Sequence, residues 1–304
     1  MLKKLLALIV ILAIAGFGVY WWLTTPALVS ASALPAYTPN VANGKAMFDA
    51  GGCVSCHASD KDTRELLGGG MALPSPFGTF YVPNISQNPA DGIGRWSEAE
   101  FVTAMTKGTS PAGKHYFPAF PYVSYAAMKL EDVRDLFAYM KTLPQAAGRV
   151  REHDLPFPFN IRRNVGVWKL LFFEGKPFVA DATQSAQWNR GAYLVNGPGH
   201  CAECHSPRNA LGGIVAAQRF AGGPNPEGEG WVPNITQKGL ADWSDKDIAY
   251  FLESGMTPEG DSAGGSMTRV IANMAQLSAD DRMAIAIYLK SLPPVDGPKR
   301  PGKS

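Results

Sequence analysis

Apolar and polar positions alternate along this chain in only a few patterns, and the first is the longest. From Leu5 to Leu23 runs LLALIVILAIAGFGVYWWL, 19 residues without a charge. As a helix this stretch spans about 28 Å, close to the hydrocarbon thickness of a bilayer. Lys3 and Lys4 precede it, and Tyr20, Trp21 and Trp22 close it where an interfacial aromatic belt belongs. The pattern predicts one membrane-spanning helix with its N-terminus in the cytoplasm and the rest of the chain outside. A cleaved signal peptide with Ala31-Ser32-Ala33 as its small-residue site is the alternative. Signal-peptide apolar regions run about 7–15 residues, so the length favours a retained anchor. Nothing later in the chain is apolar enough to span again.

Beyond residue 40 the apolar positions recur at helical spacing in short segments separated by long loops. Val41–Ala50 and Ala186–Asn196 read as helices, with Gly44 and Phe48, then Gly191 and Val195, one turn apart on a face. Ser97-Glu98-Ala99-Glu100 opens another helix as a capping box, and Ser244-Asp245-Lys246-Asp247 is an acidic approximation to it. Terminal helices are predicted near Glu131–Thr142 and Ala279–Ser291, each stopped by a Leu-Pro pair at Pro144 and Pro293. Val133, Leu136, Phe137 and Met140 form the apolar stripe of the first. No alternating strand pattern is evident, and the fold class read from these elements is all-α.

The two sets of helices belong to one repeated unit. Cys53 maps to Cys201 at an offset of 148, and Val82-Pro83-Asn84-Ile85 to Val232-Pro233-Asn234-Ile235 at 150. Trp96 maps to Trp243 at 147, and Leu143-Pro144 to Leu292-Pro293 at 149. Two copies at a nearly constant offset mean duplication rather than a solenoid. The expected organisation is an anchor and tether over 1–35, a first domain over 36–144, a connector over 145–184, a second domain over 185–294 and a basic tail over 295–304.

All four cysteines lie in the repeat, as Cys53-Val54-Ser55-Cys56-His57 and Cys201-Ala202-Glu203-Cys204-His205. An even count in an exported chain first suggests disulfides. Paired C-x-x-C also serves as zinc half-sites, and a single pair as a redox motif. The following His in both copies points instead to c-type haem attachment. Two thiols add to the haem vinyl groups, and the adjacent imidazole turns back onto the iron. His57 and His205 are then the proximal ligands of two covalent haem c groups.

Charge adds less than the motifs. The formal net charge is +2, from 28 basic and 26 acidic residues, which argues against a nucleic-acid binder. Without residues 1–23 and 294–304 the body carries 23 basic and 25 acidic residues, so the basic excess belongs to the ends. Glycine and proline, 32 and 24 residues, fit loops wrapped around cofactors.

A Gly-bearing helix before C-x-x-C-H, a Pro-Asn-Ile loop, a Trp and a terminal helix with Tyr139 or Tyr288 resemble class I cytochrome c domains in tandem. The wider pattern is similar to the membrane-bound cytochrome subunits of periplasmic alcohol, aldehyde and gluconate dehydrogenases. The residues carrying it are Phe77–Ile85, Gly92–Trp96, Phe117–Tyr122, Arg190–Leu194 and Gly199–Arg208. The best-known members of that group hold three haems, whereas this chain has two motifs.

The resemblance implies that Pro83 and Pro233 offer a carbonyl to each proximal imidazole and that Trp96 and Trp243 donate toward a haem propionate, with core packing as the plainer role. Arg208 pairs with a propionate or is solvated. A class I haem usually takes Met as its sixth ligand. Met267, in Gly264-Gly265-Ser266-Met267, stands where the family puts that residue, with Met274 and Met256 behind it. In the first copy Pro118-Ala119-Phe120-Pro121-Tyr122 has a phenyl ring where related chains often have Met. Met128 is the expected ligand there, with His115 as the alternative.

The connector mixes Phe157, Phe159, Trp168, Phe172, Phe173 and Phe178 with Arg162, Arg163, Lys169 and Lys176. It reads as a strap across both domains, or as a membrane-surface segment. The function implied is electron transfer, with no catalytic residue, from a periplasmic dehydrogenase subunit to a quinone, an oxidase or another cytochrome. The expected location is the periplasmic face of a bacterial inner membrane. A dihaem enzyme such as a peroxidase is the competing class. A thiosulfate dehydrogenase usually needs a Cys ligand, and no cysteine remains outside the motifs.

Overall fold

The computed structural model describes residues 1–59, 63–300 and 302. Pro301, Lys303 and Ser304 of the expected basic tail lie outside the described residues. Helix α1 (Leu2–Leu23) buries none of its side chains. Its last turn nevertheless docks on the body, where Thr24 is buried.

The first half contains α2 (Val41–Ala50), α3 (Cys53–His57), α4 (Glu98–Lys107), α5 (Tyr122–Tyr125) and α6 (Leu130–Met140). A connector helix, α7 (Asn164–Phe172), follows. The second half repeats the plan with α8 (Ala186–Asn196), α9 (Ala202–His205), α10 (Asp245–Ser254), α11 (Met267–Met274) and α12 (Ala279–Ser291). The sequence patterns account for most of these. Ser97 and Glu100 close a full capping box on α4, and Ser244 and Asp247 close the same box on α10. The predicted terminal helices are α6 and α12, with α6 ending two residues earlier than expected.

Each half also holds a short antiparallel hairpin that the hydrophobic pattern does not show. β1 (Ala72–Ser75) pairs with β2 (Gly78–Tyr81), and β3 (Gly223–Pro224) with β4 (Trp231–Val232). Strands of four and two residues are too short for alternation to register, and proline and glycine interrupt them. The fold remains mostly helical, with these two ribbons as small additions.

The scaffold of each half is a helix crossing made close by glycine. A Cβ on Gly44 would lie 2.1 Å from the Asp135 carbonyl oxygen, and one on Gly191 would lie 1.9 Å from that of Ala284. Thus α2 on α6, and α8 on α12, touch backbone to backbone, which no larger residue permits. The duplication extends to single hydrogen bonds. Tyr116 N donates to Gly108 O and Ala263 N to Gly255 O, both at 2.8 Å and both at the 147 offset. Met128 N donates to Tyr125 O and Leu277 N to Met274 O, at the 149 offset. The second copy therefore gains two residues between these points, in the segment that starts α11.

The halves share one apolar core, which runs from Met47, Phe48 and Val133 to Tyr193, Leu194 and Ile285. At their junction the Tyr193 hydroxyl donates to the Asp132 carboxylate and accepts from Lys129 N. The exchange is reciprocal. From the second half, α11 lies over the first cysteine motif, where Asn273 Nδ2 donates to Ser55 Oγ at 2.7 Å. From the first half, Ser124 on α5 donates to Glu203 in the second motif at 3.0 Å. The connector crosses both: Trp168 Nε1 donates to Leu211 O, and Lys169 Nζ donates to Lys107 O and Gly108 O.

Candidate functional site

Both cysteine motifs fold as a helical turn, which brings the two thiols and the histidine of each to one side. α3 covers Cys53–His57, and Cys201 immediately precedes α9. No disulfide joins any of the four cysteines. Among the described residues no cluster of three or more His, Cys, Asp or Glu has a metal-binding arrangement, so the pairs do not converge as a zinc site would. Burial pushes the Cys53 and Cys204 thiols up to about 12 and Cys201 up to about 11.

The two histidines sit in matching environments. His57 Nδ1 donates to Pro83 O at 2.8 Å, and His205 Nδ1 donates to Pro233 O at 2.8 Å. That bond selects the tautomer and leaves each Nε2 with a free lone pair. Burial lowers the His57 pKa to about 4 and lowers that of His205 as well, so both rings stay neutral and able to ligate.

A residue the sequence reading left without a role holds each of these carbonyls in place. Asn84 Nδ2 donates to Ala146 O and Asn234 Nδ2 to Val295 O, both at 2.8 Å. Their side-chain oxygens accept from Ser86 N and Thr236 N. Each Asn thus ties the Pro-Asn-Ile loop to the chain leaving the terminal helix. The repeated Pro-Asn pair was the signal, but its job depends on a partner about 60 residues away.

Both motifs line one continuous cavity of about 1940 Å³. A single small-ligand cavity usually holds about 300–1,000 Å³, so this space fits two large groups. Trp96 and Phe120 from the first half, and Trp243 and Met267 from the second, line it. Its surface is mainly apolar, as a tetrapyrrole face requires. Neither Trp indole N–H has a protein acceptor among the described residues, which leaves both donors free for an acidic group on a ligand.

The other expected residues divide. Met267 is the first residue of α11 rather than a loop residue, and it lies in the cavity wall. Phe120, at the 147 offset from Met267, lies in the wall of the first half. Met128 and His115 are both buried, but neither lines the cavity. Met128 packs beside Gly197, and His115 Nε2 donates to Thr24 O at 2.9 Å. Arg208 lines the cavity with its guanidinium on the Glu203 carboxylate at 2.6 Å and on Gly212 O at 2.8 Å. Glu203 thus competes for Arg208 with any ligand carboxylate.

Two further groups sit between the motifs. His200 Nε2 donates to Gly51 O at 3.2 Å and its ring meets Tyr125 edge to face. Glu227 accepts from Ser266 and Arg269, and its charge contributes, after burial, to the raised pKa of both Cys56 and Cys204. Nothing in the local sequence marks Glu227, because a loop between β3 and β4 carries it to the first motif.

Residues 41–144 match the cytochrome c family. The chain is 47% identical over 294 residues to a diheme cytochrome c-type protein of Cereibacter sphaeroides, covering 96% of this chain and 97% of that one. It is 36% identical over 292 residues to the fructose dehydrogenase cytochrome subunit of Gluconobacter japonicus, covering 94% of this chain and 58% of the relative. Against the cytochrome c subunit of a quinone alcohol dehydrogenase from Gluconacetobacter polyoxogenes the identity is 37% over 288 residues, covering 88% and 60%. The chain therefore spans almost all of the first relative and about three-fifths of the other two.

Proposed function

We propose that this chain, which belongs to the family of dihaem c-type cytochromes, relays electrons from a periplasmic dehydrogenase subunit toward the respiratory chain. Its cofactors are two covalent haem c groups, which supply reversible one-electron chemistry at iron. The protein is an electron carrier and not itself the catalyst. The relatives are cytochrome subunits, which takes support from the peroxidase reading. One observation carries the proposal: two C-x-x-C-H turns, each with its imidazole held by a proline carbonyl, open on one shared cavity.

In this reading Cys53 and Cys56 hold one group by thioether bonds and Cys201 and Cys204 the other. His57 and His205 present Nε2 as proximal ligands. Their bonds to Pro83 and Pro233 fix ring orientation and raise basicity. Trp96 and Trp243 offer indole donors to propionates. Arg208 stands near the second group while paired to Glu203. Met267 is the sixth ligand of the second iron. Met128 is the proposed sixth ligand of the first, with His115 as the alternative. Met128 belongs to the segment between α4 and α6, the counterpart of the one bearing Met267. Coordination by either residue requires that segment to turn toward the cavity.

The helix α1 anchors the chain in the bacterial inner membrane and places both halves on the periplasmic side. The acceptor is a quinone, an oxidase or another cytochrome. The domain limits proposed are 36–144 and 185–294, joined by 145–184. The experiment is to mature the full chain with haem and count haem per polypeptide. Two are expected, and one after Cys201→Ser with Cys204→Ser. Mixing the oxidised holoprotein with a candidate dehydrogenase and its substrate should then reduce both haems. Haem that no periplasmic dehydrogenase reduces would remove the proposed donor, and a stoichiometry of one would remove the dihaem assignment.

A further inference from the structure

Ahead of α7 the connector brings basic side chains into the cavity wall of the first half, where haem attachment gives them no role. Thr79 N donates to Asp154 O at 2.8 Å and Asp154 N to Thr79 O at 2.9 Å. This antiparallel bridge lays the connector along β2, the strand that leads to Pro83, and it fixes His153. The His153 Nδ1 accepts from Tyr81 N at 3.1 Å. Its ring meets Phe80 and Phe117 edge to face, with centroids 5.4 and 5.6 Å away. Two guanidiniums lie over the neighbouring rings, Arg151 at 4.5 Å from Tyr81 and Arg162 at 4.8 Å from Phe117. Arg162 Nη1 also donates to His115 O at 3.2 Å. Arg151, His153 and Arg162 all line the cavity.

The bond at Nδ1 decides what this imidazole can do. A ring nitrogen that accepts a backbone N–H carries no proton, so the neutral ring has its proton on Nε2. Burial and the Arg162 charge lower the pKa, with Glu152 opposing them, which keeps the ring neutral. Nε2 is then a donor and has no lone pair for iron. Among the described residues it has no protein acceptor. The two arginines are likewise uncommitted. Arg208 in the second half is held by Glu203, whereas neither Arg151 nor Arg162 has a carboxylate partner among the described residues. Glu152 is the one acid that the connector adds to the same wall. Cations and an N–H donor without partners, in an otherwise apolar wall, suit a ligand that is apolar over its face and ends in carboxylates.

We infer that Arg151, His153 and Arg162 hold the propionates of the first haem, the arginines as cations and His153 as a neutral N–H donor, in addition to Trp96. This rests on the reading of the first motif as a haem site. The cradle comes from the connector, so it belongs to the first half alone. Its effect on electron transfer is electrostatic. An uncompensated propionate favours the ferric over the ferrous iron, and a cation beside it removes that preference and raises the potential. The connector would thus set the potential of one haem and leave that of the other.

The test is a redox titration of the full-length holoprotein, with Arg151→Gln and Arg162→Gln combined in one variant and each arginine changed to Lys in another. Thioether bonds keep the haem in place when the cradle is removed. Spectra of Cys201→Ser with Cys204→Ser, and of Cys53→Ser with Cys56→Ser, identify which haem moves. The expected result is a lower potential for the first haem in the Gln variant, recovery of most of that loss in the Lys variant, and no change in the second haem. Resonance Raman adds a check on His153: the propionate bending band of the first haem should shift in His153→Leu and stay in His153→Gln, which keeps an N–H donor. If both haems titrate at their wild-type potentials in the Gln variant, the cradle is overturned and the carrier reading stands. A fall in the second haem instead, or equal falls in both, overturns it as well. A first haem that turns high-spin in His153→Leu would make His153 a ligand and overturn its role as donor. A wild-type chain that takes no haem at the first motif removes both readings.

Discussion

At the scale of single residues, the distal ligand and one buried histidine give the clearest tests. Methionine ligation raises the potential of a haem that already has a histidine on its other side. Met267→Ala should therefore lower the midpoint potential of one haem and remove one methionine–iron charge-transfer band from the ferric spectrum. A titration in which both potentials hold would return Met267 to the role of a wall residue. His115 is buried outside the cavity that both motifs line. Burial holds its imidazole below the ordinary value near 6.5, aided by the nearby Lys169 and Arg163 charges, while its bond to Thr24 opposes the shift. The unfolded chain thus binds a proton on this group at higher pH than the folded protein does. The stability linked to it is full above about pH 6.5 and drains as pH falls through the lowered value. Burial and Arg162 depress His153 in the same direction. The melting temperature should fall between about pH 7.5 and about pH 5.5, and His115→Gln should shrink that fall. An unchanged pH dependence in the variant would place the effect elsewhere.

At the scale of elements, the glycine crossings govern whether each half can close. In the α2–α6 and α8–α12 contacts a methyl group has no space, because the opposing atom is backbone oxygen that cannot turn aside. Gly191→Ala should cost at least about 1–3 kcal/mol, the usual range for overpacking a tight site. Denaturant unfolding of the matured protein checks it, and a change within error would mean the helices can slide apart at no cost. These helices were legible because their signals are local. Asn40, Ser97, Ser185, Ser244 and Ser278 cap five of them with their own side chains, and Leu-Pro pairs follow two. The hairpins were not legible, since two to four paired residues leave no period to detect. The histidine–proline pairs were reached through a family resemblance, and the asparagines that lock them were not reached at all. Glu227 and the exchange of α5 and α11 between motifs were equally hidden. Each depends on how one half meets the other, and a duplicated sequence says nothing of that.

At the scale of the whole molecule, the shared cavity should couple the two haems as charges. Adding one electron places negative charge beside a second site in a poorly solvated space, where Coulomb interactions are stronger than in water. The second electron then enters at a lower potential than it would alone. If Met267 makes the second haem the first to be reduced, the other haem always titrates beside a ferrous neighbour. Met267→Ala should then lower the second haem beneath the first and reverse that order. The first haem, which the substitution does not touch, would then titrate beside a ferric neighbour, and its potential should rise. Spectra resolved for the two haems during one redox titration give both shifts together. A first haem that stays at its wild-type potential while the second drops past it would show that the two irons do not sense each other's charge across the shared cavity. The reciprocal packing of the halves would then serve stability alone.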